Sequence, residues 1–109
     1  MSSFDDRKRA EEARFAHNAE LRFKAEARRN RYLASWASAE MGVTDADAIA
    51  NYIAEIIAAD MKQSGHADVV HKVKADFDAK GVAIDEVAIE ARIAEFDAQA
   101  REEILSEAS

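Results

Sequence analysis

The sequence contains no cysteine and no proline, and only three of its 109 residues are glycine. Without cysteine there is no disulfide framework, no thiolate nucleophile and no cysteine-ligated zinc or iron–sulfur site, which is compatible with a reducing cytoplasm. Long hydrophobic runs are also missing. No stretch of about 18 apolar residues is present to span a bilayer, and Met1 to Arg14 is polar and charged where a signal peptide needs an apolar segment. The expectation is a soluble protein that is not exported. The motifs of catalysis are absent as well: there is no glycine-rich phosphate loop, no GxSxG elbow, no HExxH pair and no EF-hand loop. His66 and His71 stand five residues apart, about 140° around a helix, and so do not converge on one metal. Asp76 and Asp78 face different ways on a helix, so they do not form a carboxylate pair for acid and base work. Neither an enzyme, a metal centre nor a cofactor site is expected.

What is present is helix-forming. Apolar residues make up 49% and charged residues 34% of the chain, a globular balance at the length of one domain. Alanine, glutamate, lysine and arginine are frequent, and with proline absent they favour an all-α fold. Gly42, Gly65 and Gly81 each follow a helical period and punctuate the chain. Four helices are predicted. The first runs from Phe4 to about Glu40 or Met41, with Ser3 as N-cap; the second from about Asp45 to Gln63, with Thr44 as N-cap. The third covers about Ala67 to Lys80 and the fourth about Asp85 to Glu107. Ile49, Tyr52, Ile53, Ile56 and Ile57 make a core face on the second, Val69, Val70, Val73 and Phe77 on the third, and Ile89, Ile93, Phe96, Ala100 and Ile104 on the fourth. Trp36 reads as a core anchor.

The first of these stretches is unlike the others. On a helical wheel Phe4, Phe15 and Leu33 fall within roughly 20° of one meridian, yet between them the same meridian carries Arg22, Glu26 and Arg29, side chains almost never buried unless paired. Residues 1 to 31 hold nine Lys or Arg against six Asp or Glu, whereas residues 32 to 109 hold six against sixteen. The acidic body argues against nucleic acid and anionic membrane as partners, and only the N-terminal arm can meet an acidic one. Large apolar residues are sparse before Tyr32, too few to offset the ordering of that segment by burial. The predicted architecture is therefore a four-helix bundle whose long first helix has a mobile or protruding N-terminal part: a flexible segment at 1–19 and a bundle domain at 20–109. Phe15 and Phe23, one helix row apart through Ala19, together with small Ala10, Ala13, Ala16 and Ala25, suit a helix that lies in a partner's groove on aromatic anchors. This is the pattern of a binding protein.

The run Phe4-Asp5-Asp6-Arg7, then Ala10, Glu12, Phe15-Ala16-His17, Glu20-Leu21, Phe23-Lys24-Ala25, Ala27-Arg28-Arg29-Asn30, Leu33 and Trp36-Ala37, closely resembles the zeta subunit family, the small inhibitor of the F-type ATP synthase of alphaproteobacteria. Weaker resemblance continues through Gly65-His66 and Val73-Lys74-Ala75-Asp76. The resemblance implies a four-helix fold and an N-terminal inhibitory segment that enters the catalytic head between catalytic and non-catalytic subunits, toward the rotor. It also implies a cytoplasmic location, peripheral to the inner membrane through the ATP synthase and with no insertion into the membrane. Onto this chain it carries Phe4, Asp5, Asp6, Arg7, Arg9, Arg14 and Phe15 as partner-binding residues. An alternative assigns the chain as a helical nucleotide-binding regulator that holds ATP or ADP weakly with Lys24, Arg28, Arg29 and Arg31. A third reading is an adaptor with no effect on any enzyme.

Overall fold

The computed structural model describes residues 3–62 and 67–108, with side chains from residue 5 onward. Among the described residues the chain forms five α-helices: α1 (Ser3–His17), α2 (Ala19–Glu40), α3 (Ala46–Asp60), α4 (Ala67–Lys80) and α5 (Glu86–Ala108). The all-helical expectation holds. The single long first helix does not: it is two helices, divided at Asn18.

Helix ends follow local side-chain chemistry. Asp45, rather than Thr44, caps α3, its carboxylate accepting from the Ala48 N–H at 2.9 Å. Asp85 does the same for the Ala88 N–H at 2.9 Å, so the start expected for the last helix is its cap. Gly42 and Gly81 end α2 and α4 with φ of 75° and 71°, the left-handed conformation that admits glycine without a side-chain clash. Ser3 lies inside α1 rather than before it. α3 ends at Asp60 with Met61 as its C-cap, short of the end expected near Gln63; Gln63, Gly65 and His66 themselves lie outside the described residues.

The apolar faces build two clusters. The larger gathers Leu33 and Ala37 of α2, Tyr52 and Ile56 of α3, Val73 and Phe77 of α4, and Ile89 and Ile93 of α5, with Trp36 and Phe96 packed against it. Trp36 meets Phe77 edge to face at 5.6 Å between ring centroids, and Arg92 lies over the indole, 5.5 Å from its centre. The indole is thus a partly buried anchor, as expected. The smaller cluster joins Phe15 of α1, Leu21 and Ala25 of α2, and Ala100, Ile104 and Leu105 of α5, with Tyr32 beside it.

Between the clusters lies a polar layer. The Arg29 side chain is buried, and its Nη2 sits 3.1 Å from Asp60 Oδ2 while Nη1 lies 3.9 Å from Asp97 Oδ1. Its Nε and Nη2 donate to Asn30 Oδ1, and Asn30 Nδ2 donates to Asp60 Oδ2 at 3.0 Å. The charges on the sequence's apolar meridian therefore divide: Arg29 goes inward with carboxylate partners, while Arg22 and Glu26 stay exposed. Elsewhere α3 and α4 are tied by the Tyr52 hydroxyl, which donates to Asp76 at 2.8 Å; burial first, and that bond second, push the phenol well above its ordinary range.

Candidate functional site

The candidate site is α1 and the surface on which it sits. Asp5 and Asp6 occupy the first turn of α1 and Arg14 and His17 the last, each sign complementing the nearer end of the helix dipole. The chain then turns on one residue. Asn18 has extended φ and ψ of −114° and 102°; its backbone N–H donates to the Phe15 carbonyl at 3.2 Å, and its Oδ1 accepts from the Leu21 N–H at 3.1 Å. Its own carbonyl accepts from the Arg22 N–H at 3.1 Å, the first backbone bond of α2. One asparagine thus closes α1 and caps α2, a role its short acceptor side chain favours.

The contacts that seat α1 gather at its C-terminal end. Phe15 is 8% exposed within the smaller cluster, and the Arg101 guanidinium lies over its ring at 4.7 Å from the centroid. Beside it Arg14 Nη2 donates to the Ala108 carbonyl of α5 at 3.1 Å. Further toward the N-terminus, Arg7, Lys8, Glu11 and Glu12 form one wall of a groove of about 1140 Å³. Val70 of α4 and Ile93, Ala94, Ala98 and Leu105 of α5 supply its apolar surface, and Glu90 and Asp97 face it with negative charge. Of the residues expected to bind a partner, Asp5, Asp6, Arg7, Arg9 and Arg14 are exposed. Phe15 is not, and the side chain of Phe4 lies outside the described residues. Phe23, on α2, is 72% exposed.

The basic cluster offered for nucleotide is differently employed. Lys24 pairs with Glu20 at 3.2 Å. Arg28 grips Glu107 through two nitrogens and reaches Glu103 at 3.4 Å, tying the N-terminal half of α2 to the end of α5. Arg29 is buried in the polar layer, and Arg31 is exposed. Three of the four cations thus already have carboxylate partners. Hydrogen bonding to Arg28 draws the Glu107 carboxyl below its usual range, and the Tyr32 hydroxyl, with Gln99 and Arg28, does the same to Glu103. Among the described residues, no three His, Asp or Glu side chains are grouped to hold a metal ion, and no helix is long and apolar enough to cross a membrane.

Two features escaped sequence reasoning. The turn at Asn18 had a visible signal, a capping residue inside a helical run, but without glycine or proline it read as continuous helix. The pairing of Arg28 and Arg29 had none, because their partners stand far along the chain in α3 and α5.

No curated protein matches the chain. A family described as ATPase inhibitor subunit zeta has a sequence profile that matches residues 1–103, from the start of the capped helix pair to within the last turns of α5. Because that match takes in α1, the Asn18 turn and nearly the whole bundle, the chain belongs to the ATPase inhibitor subunit zeta family.

Proposed function

We propose that the chain stops ATP hydrolysis by the catalytic head of an F-type ATP synthase, with α1 entering between catalytic and non-catalytic subunits next to the rotor. The observation that carries this reading is that α1, inside the region matched to an inhibitor family, is joined to the bundle through one non-helical residue and keeps its charged side chains at the surface. In this reading residues 1–19 are the inhibitory segment and 20–109 its carrier. Phe4 and Phe15 are the anchors, with Phe23 the next aromatic along, and Asp5, Asp6, Arg7, Arg9 and Arg14 set the orientation by pairing with charges of the partner. A few desolvated aromatics must supply most of the affinity, because association costs translational freedom and side-chain ordering. The chain acts as a regulator without chemistry of its own, held near the inner membrane only through the synthase.

The test is ATP hydrolysis by the isolated catalytic head, with the full chain and with a version lacking residues 1–17, which keeps Asn18 to cap α2. Inhibition by the full chain, and its loss in a truncated chain whose circular dichroism remains helical, is the expected result. Equal inhibition by both would remove α1 from the mechanism.

A further inference from the structure

Between Ser3 and Glu40 the one residue outside helix is Asn18, and the segment holds no glycine or proline. Such a segment has two arrangements available to it. In the bent one, Asn18 is extended, its side chain caps α2, Phe15 lies under Arg101, and Arg14 holds the Ala108 carbonyl. In the other, Asn18 adopts helical angles and α1 runs straight into α2. The N–H groups that a helix start leaves without intrahelical partners then bond to the last carbonyls of α1. Straightening gives up the cap and the burial of Phe15 and gains backbone hydrogen bonds within one longer helix. Among the described residues no non-glycine backbone has positive φ, so the bend at Asn18 carries no left-handed backbone strain. The N-terminal half of α1 walls the groove instead of closing it, and Phe15 and Arg14 seat the C-terminal end of α1 on α5.

We propose that Asn18 is a hinge and the Phe15–Arg101 contact its latch, so that α1 exchanges between a bent form seated on α5 and a straight form continuous with α2. The straight form is the one presented to the partner, a step that rests on the inhibitory reading above. It bares Phe15 and places it on the same helix row as exposed Phe23, with Ala19 between them. The bent form is then self-restrained, its first anchor occupied by its own bundle.

The hinge can be tested on the isolated full chain. Because the sequence has no cysteine, Ala10→Cys and Ala91→Cys, both at exposed positions, carry spin labels without background. In the bent form both sites belong to helices that wall one groove. In the straight form they stand roughly 35 to 40 Å apart, from the rise of about 1.5 Å per residue along α1 and α5. Asn18→Ala removes the cap and favours helix, whereas Asn18→Gly keeps capping ability and disfavours helix. The ratio of long to short distances should therefore differ between them by about tenfold or more. Arg101→Ala, at an exposed side chain, should shift the distribution toward long distances as Asn18→Ala does. Distance distributions that are the same in Asn18→Ala and Asn18→Gly overturn the hinge, whatever their effect on ATP hydrolysis. If the distances separate, Asn18→Ala should inhibit at lower concentration than Asn18→Gly. Equal inhibition at that point would overturn the straight form as the partner-facing one. Undiminished inhibition without residues 1–17 would instead overturn the function assigned to α1.

Discussion

Arg29 carries a charge into the interior of the bundle, between the two apolar clusters. A guanidinium 3% exposed in a helical bundle is tolerable only because Asp60, Asp97 and Asn30 surround it. Arg29→Ala leaves the Asp60 carboxylate facing Asn30 without its cation and should destabilise the fold by about 3 kcal/mol, read as a lower urea midpoint. Ser38 is the opposite case. Its hydroxyl is fully buried with no hydrogen-bond partner, so Ser38→Ala should raise stability by about 1 kcal/mol and with it the melting temperature. The two phenylalanines separate stability from recognition. Phe15→Ala removes the ring that seats α1 on the smaller cluster; because the chain stays folded with α1 released, the cost should be limited to about 1 kcal/mol. Phe23→Ala, at an exposed position, should change stability by less than about 0.5 kcal/mol while weakening inhibition of the catalytic head.

At the scale of elements, the joint between α2 and α5 depends on pH. Glu103 and Glu107 are held below their usual range in the folded state, so the stability they contribute is complete above their ordinary pKa of 4.5 and is lost as pH falls through the lower folded values. Tyr32, bonded to Glu103, and buried Tyr52 are shifted upward, so their contribution is present below about 10 and is lost as pH rises through the folded values. Thermal melts followed by circular dichroism should show a falling melting temperature below pH 4.5, and Glu107→Gln should flatten that fall. Helix positions were legible because periodicity, capping aspartates and glycines agree locally: α4 spans the range expected, and α5 begins right after its capping Asp85. Glu20 and Lys24, spaced i to i+4, pair at 3.2 Å within α2. That pair does not cross Asn18, so its spacing is equally consistent with one helix or two. Arg28 was offered as a nucleotide contact because its partners Glu103 and Glu107 come from packing, which no local pattern encodes.

The molecule is elongated, with extents of 50 × 26 × 26 Å, and its charge is uneven, a mildly basic beginning on an acidic body. That asymmetry favours an approach led by α1 toward an acidic surface and should make association weaken with added salt. A rise in inhibitory concentration between low and physiological ionic strength would show it in the ATP hydrolysis assay. The polar layer around Arg29 has a consequence for how the chain opens. It separates a large apolar cluster built from four helices from a small one that depends on α1, the start of α2 and the end of α5. The two halves thus have unequal resistance to local unfolding. Amide protons in α1, near Leu21 and near Ile104 should exchange with deuterium well before those around Ile56, Val73 and Phe77, as a first sub-global opening that leaves the larger cluster closed.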